Sequence, residues 1–214
     1  MTGNRWKVAA ATVGAMALAA GMSAAQASSL DRAYIGAQMG WSMYDMELHD
    51  RGADIKLEGA SASGVSGGMF GGAGVVNRNG IYGGFEVHYS VEGADGSFST
   101  PDAEAILDMD ESFGLTLHAG PVYKDDTLFY GLLGYRWLEA EGTYTTATGV
   151  SRDDDRIGGV RFGFGVRHQV DERFFLRAEY GYTVFSSETL RFDGERVAID
   201  PESSEFHFGL GYRF

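Results

Sequence analysis

Cysteine is absent from the chain and proline nearly so, with 3 in 214 residues. The first absence removes disulfide frameworks, thiolate metal sites and cysteine nucleophiles. Positive charge is scarce too: 17 Lys and Arg stand against 30 Asp and Glu, a formal net charge of −13. Phosphate backbones require a basic face, so nucleic acid is excluded as a partner. Past Ser28 no apolar run reaches 18 residues, which leaves no segment able to cross a membrane as a helix. Zinc-helix and phosphate-loop motifs are missing, so those catalytic signatures are not available. What is abundant is glycine and aromatic residues, 32 Gly with 14 Phe, 11 Tyr and 3 Trp. That composition leans toward an all-β chain.

The opening MTGNRWKVAAATVGAMALAAGMSAAQASS places Arg5 and Lys7 before an apolar run from Val8 to about Met22, followed by Ala25-Gln26-Ala27. This is a secretory leader ending in an A-x-A site, so residues 1–27 are expected to be cleaved and the mature domain to span 28–214. The run is too short and too rich in small residues to read as a membrane anchor. Its loss takes away two cations and no anion, which moves the formal charge to −15.

The mature chain alternates. Ala33, Ile35, Ala37, Met39, Trp41 and Met43 share one face of a strand, with Tyr34, Gly36, Gln38, Gly40, Ser42 and Tyr44 on the other. The pattern returns around Val65–Val75, and again with Phe85, Val87, Tyr89 and Val91 against Gly84, Glu86, His88 and Ser90. Phe113, Leu115, Leu117 and Ala119 begin a further strand, and Phe129, Leu133, Tyr135 and Trp137 another, where Leu128, Leu132 and Leu138 blur the alternation. Val160–Val166, Leu176–Val184 and Phe206–Phe214 complete eight. Tight turns at Asn77, Lys124 and Asp171 alternate with polar stretches at about 47–63, 92–110, 139–155 and 186–204.

Short turns on one rim and long connections on the other describe an all-β, eight-stranded, antiparallel, up-and-down transmembrane β-barrel. A soluble sandwich or lipocalin-like barrel also alternates, but it turns its bulky face inward. Here the face opposite the bulky residues carries glycines together with Glu86, Arg177 and Glu179. A charged lumen and an apolar outer wall account for that division.

The ending EFHFGLGYRF, with Phe206, Phe208, Leu210, Tyr212 and Phe214 at alternate positions, resembles the C-terminal assembly signal of bacterial outer-membrane proteins. With stretches such as IYGGFEVHYS and LFYGLLGYRW, the segment from about Ala33 to Phe214 is similar to the OmpA-type, porin-like outer-membrane β-barrel domain family. The resemblance is to its compact single-barrel members, and it implies no cell-wall tether. It further implies a Gram-negative outer-membrane location, outer-membrane lipids and lipopolysaccharide as surroundings, and recognition of the ending by the barrel-insertion machinery. The fold itself hosts many functions.

Eight-stranded barrels leave an interior that side chains fill. The expected lumen charge network is Glu86, Glu179, Glu205, Arg136, Arg161, Arg167, Arg177 and Arg213, paired because an isolated buried charge is costly. Trp41, Trp137, Tyr89, Tyr135, Tyr180 and Tyr182 are candidates for aromatic girdles. His88, His118 and His207 point inward, but their spacing shows no convergence on a metal. The acidic stretches AILDMDES (105–112) and SRDDDR (151–156) match no calcium loop. His168 and His49 lack a recognisable serine partner, so neither a catalytic site nor a metal or cofactor is expected. The reading is a non-enzymatic outer-membrane barrel with a structural or surface-interaction role, its loops open to an extracellular ligand. A small passive diffusion channel is the alternative, and a lipid-modifying enzyme stands third.

Overall fold

Period-two alternation needs each strand to find two neighbours, and closing the sheet satisfies every edge at once. A computed structural model describes residues 30, 32–50, 55–57, 61–100, 103–146, 149–186, 188–192 and 195–214, and side chains over 30, 32–45, 61–94, 109–139, 156–186 and 201–214. The expected leader, 1–27, lies outside the described residues. Ten strands are described: β1 (Tyr34–Asp50), β2 (Ile55–Leu57), β3 (Ser61–Val76), β4 (Ile81–Thr100), β5 (Ala103–Tyr123), β6 (Thr127–Thr146), β7 (Gly149–Gln169), β8 (Phe174–Phe185), β9 (Glu188–Phe192) and β10 (Glu195–Arg213).

Eight of them form the wall in the order β1-β3-β4-β5-β6-β7-β8-β10, all antiparallel, and β1 pairs with β10 to close it. The closing seam runs from Tyr34↔Arg213 through Trp41↔Phe206 and beyond. The amide of Phe214 donates to Ala33 O at 3.1 Å, so pairing continues to the final residue. The short β2 and β9 extend the far ends of β1 and β10 through Leu48↔Leu57 and Val197↔Leu190.

Three tight turns build one rim. The Asn77 side chain accepts the amides of Asn79 and Ile81 at 2.9 and 3.1 Å, and Gly80 takes the positive φ of 75° that this turn requires. Asp171 accepts the amides of Arg173 and Phe174 at 2.7 and 2.8 Å. On the opposite rim, all four stretches expected as loops are largely strand instead, β1 and β10 staying paired to Asp50↔Val197. β4 and β5 stay paired to Thr100↔Ala103, and β6 and β7 to Thr146↔Gly149. An antiparallel ladder needs no apolar face to satisfy its backbone, and residues such as Thr143–Thr146 favour extended conformations.

The wall sorts side chains as the alternation requires. Met39, Leu117, Phe164, Phe208 and Phe214 are each more than 60% exposed on the outside. Gln38, Ser42, Glu86, Arg136, Arg161, Arg177, Glu179 and Glu205 are buried within. The leucines that break the pattern in β6 also point inward. Leu138 joins Tyr44, Ala62, Ala94, Met109 and Phe185 in an apolar layer at the long-hairpin end. Leu128 and Leu132 join Leu30, Tyr82 and Tyr130 at the turn end, above which Tyr34, Phe70 and Phe175 pack together. The charged middle of the lumen is therefore bounded by apolar side chains at both ends.

Candidate functional site

The lumen holds a chain of alternating charges. Starting toward the long-hairpin end, Glu92 on β4 accepts from Arg136 on β6 at 2.6 Å, and Arg136 also pairs with Glu205 on β10. Glu205 accepts from Arg161 on β7 at 2.6 Å, and Arg161 reaches Glu179 on β8 at 3.1 Å. Arg177 approaches Glu179 at 3.7 Å and donates to both oxygens of Glu86 at 2.7 and 2.8 Å. Arg167 ends the series 3.8 Å from Glu86. Four carboxylates thus alternate with four guanidinium groups, and this chain of eight is neutral.

Apart from Arg177–Glu179, two residues apart on β8, these pairs bridge different strands. β4 and β8 stand on opposite sides of the wall, so the Arg177–Glu86 bonds cross the lumen. Hydroxyls complete the carboxylate shells: Tyr34 donates to Glu86 at 2.9 Å, Tyr130 to Glu179 at 2.8 Å, and Ser42 and Ser112 to Glu92 at 3.0 and 2.8 Å. Arg167 is held differently, its guanidinium 4.1 Å from the Tyr34 ring centre and 4.7 Å from that of Phe175. Glycine makes the room on the inner wall. A Cβ on Gly181 would stand 2.5 Å from Arg161 Nη2 and 2.8 Å from its Cζ.

Seven of the eight charges expected in the lumen lie in this chain. Arg213 does not: it sits at the turn rim, where it donates to the Glu172 carbonyl. It is the last inward position of β10, level with the turns rather than with the buried carboxylates. Its place in the count is taken by Glu92, the first residue of the polar stretch 92–110 expected as a connection. The β4 alternation simply continues two residues past Ser90, and that was the available signal.

The three inward histidines are all buried but serve apart. His207 Nε2 lies 3.0 Å from Ser66 Oγ, and His118 Nε2 lies 3.1 Å from Thr116 Oγ1 with its ring stacked on Tyr130. Among the described residues one group has metal-ligating atoms close together, Glu86, His118 and Glu179, within 4.8 Å of one another. Both carboxylates already face Arg177, so a cation there would meet a fixed positive charge. Outside the wall, His168 Nδ1 lies 2.9 Å from Thr127 Oγ1, whose own hydrogen goes to Asp126 at 2.7 Å. With the hydroxyl hydrogen on Asp126, the imidazole is the donor in this arrangement. The side chains of His49 and of 151–155 lie outside the described residues. Met109 and Ser112, from the other acidic stretch, face the lumen, while Asp110 and Glu111 are exposed.

The six girdle candidates all stand on the outer wall, toward the long-hairpin rim. Tyr135 and Trp137 are 4.8 Å apart, Tyr180 and Phe206 4.8 Å, and Phe162 and Tyr182 5.3 Å between ring centres. The turn-side belt is a different set. There Phe174 packs on Tyr212 at 5.4 Å and Tyr212 on Phe214 at 5.5 Å, with Tyr123 and Phe129 more than half exposed. Phe206, Phe208 and Leu210 lie between the two belts on the same closing strand.

A closed antiparallel barrel with an apolar exterior, aromatic belts and a charged interior is the architecture of an outer-membrane barrel. The chain belongs to the outer membrane protein beta-barrel domain family, whose match covers residues 12–214. Among solved structures it is similar to OprG from Pseudomonas aeruginosa, with 14% identity over 86% of this chain and 96% of that one and a TM-score of 0.53. It is also similar to the outer membrane protease OmpT from Escherichia coli, with 11% identity over 86% and 97% and a TM-score of 0.52. Ail of Yersinia pestis, solved with the heparin analogue sucrose octasulfate, aligns at 15% identity over 86% and 99% with a TM-score of 0.45. At such identities the likeness is one of fold. No curated protein matches the sequence.

Proposed function

We propose that this protein is a closed, non-catalytic barrel that displays its long hairpins at the cell surface as an interaction platform. The observation that carries the reading is the neutral Glu–Arg chain strung across the lumen between two apolar layers. Moving an ion through such a lumen means breaking buried, hydrogen-bonded pairs, each break costing several kcal/mol (~3–5). The outer wall partitions into lipid and the hairpins meet lipopolysaccharide and any extracellular ligand. The leader is removed after Ala27, and the alternating ending from Phe206 to Phe214 is the segment the insertion machinery takes hold of.

The passive-channel reading draws on different atoms. Arg167 Nε and Nη2 and His88 Nε2 are buried with no protein hydrogen-bond partner, and a hydrated path would use them. Liposome swelling separates the two readings. Vesicles carrying the protein should swell in iso-osmotic glycine or glucose no faster than empty ones. Swelling that scales with protein content would replace the closed platform by a channel. Turnover of labelled lipopolysaccharide by the purified protein would instead support an enzyme.

A further inference from the structure

The chain of charges in the lumen has two ends, and they are finished differently. At the acid end Glu92 accepts from Arg136, Ser42 and Ser112. At the basic end the nearest carboxylate to Arg167, among the described residues, is Glu86 at 3.8 Å, beyond hydrogen-bond reach. Glu86 is already engaged by both bonds from Arg177 and one from Tyr34. Arg167 also stands directly across the β7–β8 pair from Arg177, and facing like charges are unfavourable without a counter-charge. Arg213, held at the rim by the Glu172 carbonyl, adds to the positive field there.

Three donors at this end have no hydrogen-bond partner among the described residues: Arg167 Nε, Arg167 Nη2 and the Tyr82 hydroxyl. Both side chains are almost wholly buried, at 2% and 0% exposure. Of the tyrosines around the guanidinium, Tyr34 donates to Glu86 and Tyr130 to Glu179, so Tyr82 is the one whose hydroxyl is left over. Glycine sets its position. A Cβ on Gly74 or Gly84 would stand 2.2 or 2.4 Å from that hydroxyl, which therefore lies over bare backbone of β3 and β4. The Arg167 guanidinium carbon is 5.8 Å from the Tyr82 ring centre, and the two groups interact electrostatically.

We infer that Arg167 and Tyr82 bind a small monovalent anion of the halide class at the turn end of the lumen. A halide only accepts, so it meets all three donors at once. Water would bring two hydrogens of its own to a place already rich in donors. Charge points the same way, because one negative charge here answers the two facing guanidinium groups. Phosphate and sulfate are disfavoured: Leu30, Leu128 and Leu132 form an apolar layer at this end, and stripping water from a polyvalent oxyanion costs far more than stripping it from a halide. The site stands whether or not the barrel conducts, so it goes beyond the closed-platform reading.

Crystals of the folded full-length protein grown in sodium bromide test the assignment, with anomalous scattering locating the ion. A bromide peak is expected within about 3.5 Å of the Arg167 donors and the Tyr82 hydroxyl. In detergent, replacing sodium gluconate by sodium bromide at constant ionic strength should raise the midpoint of heat-modifiable migration, since a ligand of the folded state stabilises it by mass action. Tyr82→Phe should raise the half-saturating bromide concentration about tenfold, and Arg167→Gln should abolish the shift. Arg173→Gln, on the exposed rim, should keep it. If Arg167→Gln fails to fold, Tyr82→Phe, which retains the ring, decides. A water at the site with no anomalous peak, or a bromide shift unchanged in Tyr82→Phe, overturns the inference. Vesicle swelling in glucose by a barrel that holds bromide would remove the closed platform and uphold the site.

Discussion

Replacing Glu86 by Gln removes one charge from the middle of the barrel while preserving the side-chain shape. Glu86 takes both bonds from Arg177, one from Tyr34, and the nearest anionic contact of Arg167. With the charge gone, Arg177 keeps Glu179 at 3.7 Å, whereas Arg167 keeps aromatic faces alone. Breaking a buried pair from one side costs about 3–5 kcal/mol, and the surviving Glu179 contact argues for the lower end. About 3 kcal/mol corresponds to roughly a hundredfold in the folding equilibrium and, at the slopes usual for small domains, to a urea midpoint lowered by roughly 1–3 M. Unfolding from lipid vesicles followed by Trp fluorescence and heat-modifiable migration measures it. Removing both partners, Glu86→Gln with Arg177→Met, should cost less than the sum of the single changes, since no charge is then left stranded. A single variant within about 0.5 kcal/mol of wild type would refute the idea that these pairs hold the lumen together.

Gly181→Ala should destabilise by about 1–3 kcal/mol, because the new methyl collides with a guanidinium already fixed by Glu205 and Glu179; an unchanged urea midpoint would show that Arg161 is free to move aside. At the exposed turn, the amides of Arg173 and Phe174 hold the Asp171 carboxyl below the usual carboxylate range. Its contribution to the turn is then present above the unfolded value of about 3.9 and fades as pH falls through the lower folded value. NMR titration should place the Asp171 midpoint below that unfolded value, with Asp171→Asn keeping both amide bonds; a midpoint at or above it contradicts the capping role.

Much of this architecture is legible in the sequence because one simple rule, two residues per repeat, decides which face a side chain takes. Ile35 to Met43 and Phe206 to Phe214 could be assigned outward, and Glu86, Arg136 and Arg177 inward, without knowing the neighbouring strand. Register is harder, because height along the barrel depends on the neighbouring strands. Arg213 has the correct parity but the wrong height, since a residue at the rim meets a turn carbonyl before it meets a carboxylate. Glu92 has the correct parity, but an acid followed by Gly, Ala and Asp has the composition of a loop. Leu128, Leu132 and Leu138 looked like exceptions to alternation. They obey it, and they line the two ends of the lumen, a role that hydropathy alone cannot separate from lipid contact.

The central claim is that the lumen is closed by its own ion pairs, and single-channel recording tests it most directly. Residues 28–214, folded and inserted into a planar bilayer, should give a silent baseline under voltage. Glu86→Gln should open brief, irregular events by loosening one strut. Discrete, reproducible conductance steps from the wild-type protein would contradict a closed lumen and make the barrel a channel.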